Sequence, residues 1–202
     1  MKVTRYDKPW THLVVDDFID DVSFEYLQSN FMELHANCNT GRRTYSLDRL
    51  SRDPIEGKIL DSSLKIWNEH YHEINHGEDL FNKATHIIYE WRNTLPYDKE
   101  RRASHRDSEA KLMSVVYYVS PHGSGTTLLE KVKEDEPPMI SKTLDWKPNR
   151  ALVFVRKNEN VGGTWHYIKN DIPHNRHSLN LSIFDMTEKH KLRKENERNK
   201  EK

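Results

Sequence analysis

The chain predicts an α+β fold, mainly β, in which a double-stranded β-helix (jelly-roll) core is supported by helices from the N-terminal third. Three observations predict it. Apolar residues recur at helical spacing in two stretches before residue 75, the mark of helices that each bury one face. From about residue 84 the chain turns to short runs rich in β-branched and aromatic residues, which suit half-buried strands. Turn chemistry separates those runs: Ser-Pro-His-Gly-Ser-Gly at 120–125, Lys-Pro-Asn-Arg at 147–150 and Asn-Val-Gly-Gly at 160–163. Strands that follow helices, rather than alternating with them, point to an antiparallel core.

Each element follows from local pattern. Pro9–Asp20 is a short apolar strand that runs into an acidic turn. Asp20 or Asp21 then caps a helix over about 22–35, with Phe24, Leu27, Phe31 and Leu34 at helical spacing, because a carboxylate at that point accepts an otherwise unpaired backbone N–H. Residues 36–54 are polar and rich in arginine (Arg42, Arg43, Arg49, Arg52), a loop with short strand pieces. A second helix over about 55–74 puts Ile59, Leu60, Leu64 and Trp67 on one side. Strands are expected at Ala84–Trp91, Leu112–Ser120, Thr126–Glu130, Ala151–Arg156, Thr164–Ile168 and Ser178–Phe184. Lys131–Pro138 is a charged insertion between strands. The stretch from Met186 to Lys202 is a charged tail with no core to join. No internal repeat is present, so one domain is expected over 1–185, with the barrel at about 84–185.

Composition narrows the function classes. The chain has 202 residues, with 32 Lys and Arg against 32 Asp and Glu, so no net charge favours nucleic acid or an anionic membrane as a partner. It is polar, with a mean hydropathy of −0.95, yet five Trp, nine Tyr and six Phe argue for a packed core. Cys38 is the only cysteine, which excludes an intrachain disulfide and a cysteine-based zinc site. Met1–Asp7 is not an apolar signal segment, and no run approaches the ~18–20 apolar residues of a membrane span. The expectation is a soluble protein of a reducing, cytoplasmic compartment.

The chemistry concentrates in a few residues. His105 and Asp107 are two apart on an extended segment, and side chains alternate along a strand, so both point to one face. A second imidazole beside them completes two histidines and one carboxylate, a facial set that holds non-haem Fe(II) and leaves positions open. His166, His174 and His177 compete for that place. On the last strand Arg176, Ser178, Asn180 and Ser182 share one face, while Leu179, Leu181 and Ile183 share the other. In an ordinary sheet the polar face meets water. In a barrel that takes a charged organic acid, an inward Arg with Ser two residues on suits its carboxylate. Tyr117 and Tyr118 point to opposite faces, so one of them faces inward. His70, His72 and His76 lie on a helix, where His72 and His76 share a face; solvated histidines are the plain reading of that group.

The ordered set of His105-Arg-Asp107, the Gly123-Ser-Gly-Thr-Thr-Leu-Leu turn and strand, Trp165-His166 and Arg176-x-Ser178 resembles the 2-oxoglutarate- and Fe(II)-dependent oxygenases, and within them the prolyl-hydroxylase-like branch. The resemblance covers about residues 84–185. It implies His105, Asp107 and His166 as metal ligands, with the distance from His166 to Arg176 matching the family spacing. It further implies that Arg176 and Ser178 bind the far carboxylate of 2-oxoglutarate, and that Tyr118 reaches the same group. The implied cofactors are Fe(II), 2-oxoglutarate, O₂ and, as an optional reductant, ascorbate. The implied reaction hydroxylates a C–H bond with release of succinate and CO₂. The carboxylate at Asp107 favours hydroxylation, because halogenases of this fold lack it. Two departures stand out: Ser124 interrupts the glycines of the turn, and Tyr167 replaces the small residue that relatives often carry beside the distal histidine.

A prolyl or other protein side chain is the leading substrate expectation, with a small metabolite as the rival. Arg42, Arg43, Arg49 and Arg52 precede the barrel, where they either flank its mouth and favour an acidic substrate or form a solvated loop. Two other classes share such a barrel: a cupin-type metal isomerase or epimerase, and a non-catalytic binding module. An Arg-x-Ser strand has no purpose in the first, and an intact triad with its arginine argues against the second.

Overall fold

The computed structural model describes residues 1–35, 42–46, 53–74, 83–97, 107, 110–130, 139–155, 164–168 and 171–187. In chain order its elements are β1 (Lys2–Tyr6), β2 (His12–Asp16), α1 (Asp21–His35), β3 (Arg42–Ser46), α2 (Pro54–Ile74), β4 (His86–Thr94), β5 (Lys111–Tyr118), β6 (Thr126–Glu130), β7 (Met139–Thr143), β8 (Arg150–Val155), β9 (His166–Ile168) and β10 (Arg176–Phe184). The helix bounds match expectation to within a residue. β1 and β7 were not expected: β1 is largely exposed and β7 wholly so, and neither carries the alternation that marks a half-buried strand. β3 falls inside the stretch read as a loop with strand pieces.

Both helices begin at a carboxylate cap. Asp20 accepts the Ser23 backbone N–H at 3.0 Å and the Ser23 hydroxyl at 2.9 Å. Asp53 accepts the N–H groups of Ile55 and Glu56 at 2.8 and 3.1 Å, and Pro54 occupies the first helical position, where its missing N–H costs nothing. Leu27 and Phe31 of α1 and Ile59, Leu60, Ile66, Trp67 and Tyr71 of α2 are buried. They pack on one face of the larger sheet.

That sheet has the strand order β1-β2-β8-β5-β10-β4-β3, and a smaller one has the order β7-β6-β9; every pairing is antiparallel. After β5 the chain crosses to the smaller sheet for β6 and β7, returns to the larger for β8, crosses again for β9 and returns for β10, and two facing antiparallel sheets joined in this way make the double-stranded β-helix. Period-2 alternation divides the core accordingly. Tyr89, Trp91, Val115, Tyr117, Val153, Leu179 and Leu181 join the helices in one cluster. On the opposite face Val14, Val116, Tyr118, Leu152 and Phe154 meet Leu128 and Leu144 in a second cluster between the sheets.

Asn149 ties the two layers together at the turn before β8. It adopts φ 59°, a left-handed conformation that asparagine tolerates better than most residues. Its side chain accepts the Ile19 N–H at 3.1 Å and the Tyr117 hydroxyl at 3.0 Å, and donates to the Ile19 carbonyl at 2.9 Å. The barrel edge is thereby anchored to the entry of α1. Among the described residues, no helix is long and apolar enough to cross a membrane.

Candidate metal centre

The inward faces of β4, β5 and β10 stand in register. Ser178 of β10 lies between Tyr118 and Arg92, Asn180 between Val116 and Glu90, and Ser182 between Ser114 and Ile88. Directly opposed residues in an antiparallel pair share a face, so a polar stripe runs across three strands toward the smaller sheet. Between the sheets it borders a cavity of ≈ 80 Å³ lined by Glu90, Arg92, Asp107, Ser114, His166 and Asn180, among others.

Asp107 and His166 meet in this cavity. The Asp107 side chain is 5% exposed; it accepts Lys111 Nζ at 2.8 Å on one oxygen and the Ser114 hydroxyl on the other. Burial is the strongest single influence on its carboxyl and opposes ionisation. The charge of Lys111, the nearby His166 and the hydrogen bonds from Lys111 and Ser114 together outweigh it, so the pKa lies below the ordinary carboxylate value. His166 is buried on the three-residue strand β9, opposite Leu128. Its Nδ1 lies 2.9 Å from the Thr164 carbonyl. A carbonyl only accepts, so the proton sits on Nδ1 and Nε2 is the basic nitrogen of the ring. This is the outer contact that metal-bound histidines use to fix their tautomer. The edge of Phe154, 5.1 Å away centroid to centroid, holds the ring from the side.

His105, the third expected ligand, lies outside the described residues. Among the described residues no three His, Cys, Asp or Glu side chains gather as a metal site. A buried, ionised carboxylate beside an imidazole whose basic nitrogen is assigned fits two of the three donors of a facial Fe(II) site.

Arg176 occupies the other end of the stripe. It is fully buried; Nε donates to the Ser124 carbonyl at 2.9 Å and Nη1 to the Ser178 hydroxyl at 2.8 Å. Nη2 is buried with no acceptor among the described residues. Burial foremost, with the charge of Arg92 adding and Tyr118 opposing, lowers its pKa to about 10. Its guanidinium lies 5.6 Å from the centre of the Tyr118 ring and 5.1 Å from that of Trp146. Those two rings stack at 4.4 Å. The Tyr118 hydroxyl donates to Thr126 Oγ1 and accepts the Thr126 N–H, both at 2.9 Å. Tyr118 is therefore the inward member of the tyrosine pair, while Tyr117 packs on Phe18 beneath α1. The glycines of the 120–125 turn answer to space rather than to dihedral angle. A Cβ on Gly123 would stand 2.5 Å from the Trp146 ring, and one on Gly125 would stand 1.7 Å from the Leu144 carbonyl oxygen.

The competing histidines lie elsewhere. His177 faces the helices and stacks on Phe31 at 4.2 Å. His174 is exposed, beside His122 at 4.9 Å. On α2, His70 pairs with Glu73 at 3.0 Å and His72 is exposed; His76, Cys38, Arg49 and Arg52 lie outside the described residues. Arg42 stands opposite Glu90 in the β3–β4 register. Sequence reading passed over Lys111, Ser114, Glu90 and Arg92. For Ser114 a signal existed, since it is the polar residue that interrupts the apolar run of β5.

No protein-family model matches the chain, and no curated protein matches it. Solved structures do. A prolyl-4-hydroxylase of Pseudomonas putida superposes with a TM-score of 0.51 at 16% identity, covering 85% of this chain and 90% of that one. A viral collagen prolyl hydroxylase of Paramecium bursaria Chlorella virus-1 gives 0.54 at 11% identity, covering 86% and 89%. A Trichoplax adhaerens prolyl hydroxylase, solved with a peptide fragment of the hypoxia-inducible factor oxygen degradation domain, gives 0.52 at 12% identity, covering 88% and 84%. The chain has the fold of these enzymes.

Proposed function

We propose that this chain, built on the double-stranded β-helix of the prolyl hydroxylases, is an Fe(II)- and 2-oxoglutarate-dependent dioxygenase that hydroxylates a C–H bond, with residues 1–185 forming the catalytic domain. The observation that carries the reading is Arg176. A barrel interior that holds a fully buried guanidinium with an N–H unmatched among the described residues, on the polar stripe that borders an ionised Asp107 and a tautomer-fixed His166, suits an anion bound near a metal. A further structure of that viral hydroxylase, at TM-score 0.51 and 13% identity, is a 2-oxoglutarate complex, which supports the same choice of anion.

His105, Asp107 and His166 are assigned as the metal ligands. When bound, the iron supplies oxygen activation coupled to oxidative decarboxylation of the 2-oxo acid, which yields succinate and CO₂. The protein's own residues do the rest. Arg176 and Ser178 hold the far carboxylate of the cosubstrate, a planar guanidinium being suited to two-pronged binding of a carboxylate. Tyr118, pinned by Thr126, forms the wall beside it, and Trp146 excludes water from the guanidinium face. Thr164 orients His166. Ser114 and Lys111 hold Asp107 ionised, the form in which it would serve as a metal ligand. The substrate reading is a protein side chain, prolyl among the candidates; the Trichoplax relative's peptide complex is consistent with that choice.

Two measurements test this. Iron-loaded protein with ascorbate in air is expected to form succinate slowly from 2-oxoglutarate without added substrate, and His105→Ala or His166→Ala should abolish it. Isothermal titration under argon should show 2-oxoglutarate binding to the Fe(II) form. Absence of both turnover and binding would refute the oxygenase reading, and full activity in a metal-checked His105→Ala protein would refute the ligand assignment.

A further inference from the structure

Among the described side chains, Arg176 and Arg92 both stand on the inward stripe, and they differ in what they lack. Arg176 has no carboxylate partner among the described residues, so its charge is unmatched and it calls for an anion. Arg92, diagonally across the β4–β10 pair, is already matched: its Nη2 lies 2.6 Å from Glu90 Oε1. What Arg92 lacks is a hydrogen-bond acceptor, because its Nε is buried without one among the described residues. Asn180, opposite Glu90 in the register, is in the reciprocal position. Its Oδ1 is buried with no donor among the described residues, and a carboxamide offers a donor and an acceptor whichever way it is turned. All three side chains line the cavity that contains Asp107 and His166.

The unmet valences therefore call for an acceptor toward Arg92 and a donor toward Asn180, with no net charge. A carboxylate supplies acceptors only and would meet Glu90. An ammonium supplies donors only and would meet Arg92. A hydroxyl supplies both from a single atom. An amide with an N–H supplies both on separate atoms, across the diagonal spacing of Arg92 and Asn180. We propose that Glu90, Arg92 and Asn180 form a substrate-recognition wall, and that the group they take is an uncharged amide bearing an N–H, from a carboxamide side chain or from a peptide link. The inference rests on the oxygenase reading and deepens it. It also separates the recognised group from a prolyl ring, because the amide of an X–Pro bond has no N–H.

The test uses the full chain loaded with Zn(II), which is redox-inert, and saturated with 2-oxoglutarate. Binding is read by saturation-transfer NMR, so no turnover enters. The probes are N-acetyl-glutamine N-methylamide, its glutamate analogue, its side-chain dimethylamide, and a fourth in which every amide N–H is methylated. Binding of the first alone supports the wall and identifies a side-chain carboxamide as the group. Binding of the first three but not the fourth supports it and identifies the peptide link. With a carboxamide or peptide probe, Asn180→Leu should weaken binding by about tenfold, the loss of one well-made hydrogen bond. Glu90→Gln, which removes the counter-charge of Arg92, should shift selectivity about tenfold toward the glutamate probe. Tighter binding of the glutamate probe by the unaltered protein, undiminished binding of the fully methylated probe, or binding of none of the four would overturn the assignment. Failure of 2-oxoglutarate itself to bind would instead strike the oxygenase reading, and this assignment with it.

Discussion

Replacing Arg176 by methionine should separate stability from ligand binding. A residue this deeply buried ordinarily costs about 2–5 kcal/mol when cut back. Arg176 is different because its charge has no carboxylate partner among the described residues. Burial lowers its pKa from the ordinary arginine value to about 10, which corresponds to about 3 kcal/mol against the charged form in the folded state. The sign follows from linkage. The folded-state value lies below that of the unfolded chain, so the penalty acts in full at neutral pH and is relieved only as pH rises through about 10. Against it stand two hydrogen bonds, to the Ser124 carbonyl and the Ser178 hydroxyl, worth together about 3 kcal/mol. Methionine keeps most of the volume and offers its sulfur to Tyr118 and Trp146 in place of the guanidinium. The two sides nearly cancel, so Arg176→Met should unfold within about 1 kcal/mol of the parent, or within about 4 °C for a domain of this size. The ligand response should not survive. At a hundredfold excess over its Kd, 2-oxoglutarate stabilises a protein that binds it by about 2.7 kcal/mol, and the variant should show no such shift. Urea unfolding with and without 2-oxoglutarate, on Zn(II)-loaded protein, reads both numbers. A loss of more than about 2 kcal/mol without ligand, or a parental response to 2-oxoglutarate, would refute the reasoning.

Further predictions concern the frame around the site. Gly125→Ala should cost at least about 3 kcal/mol in urea unfolding, because the added methyl meets the Leu144 carbonyl oxygen at 1.7 Å and overpacking against backbone forces β6 to move; a change under 1 kcal/mol would show that the turn is not held as described. The Arg150–Asp16 pair, bonded at 2.7 and 3.1 Å, lowers the Asp16 pKa, chiefly through the hydrogen bond from Arg150, with burial opposing. A depressed carboxylate contributes stability above its unfolded value of about 3.9, lost as pH falls through the lower folded value. The stability gap between the parent and Arg150→Leu should therefore be widest near neutrality and shrink between about pH 4 and pH 2, and a gap of constant size across that range would contradict the assignment.

What could be read from the sequence, and what could not, divides along physical lines. The helix starts were legible for a local reason: a carboxylate cap and the apolar spacing after it act within one turn. The inward phase of β10 was legible because alternation is also local, and it put Arg176, Ser178, Asn180 and Ser182 on one face before any partner strand was known. Two of the edge strands, β1 and β7, were not legible. β1 and β7 owe their conformation to hydrogen bonds from β2 and β6, and an exposed strand has no apolar alternation to show. The role of Arg92 was hidden for a deeper reason. In sequence it is one of many charged residues, and its meaning depends on Glu90 matching its charge and on the register that brings Asn180 diagonally to it. Period 2 tells that a residue faces inward, but not which valence remains unmet once its neighbours are in place. Arg176 and Arg92 are the same residue type on the same interior face, yet burial leaves one short of a charge and the other short only of an acceptor. That difference exists only in the assembled sheet, and substrate chemistry is written there rather than in the motif.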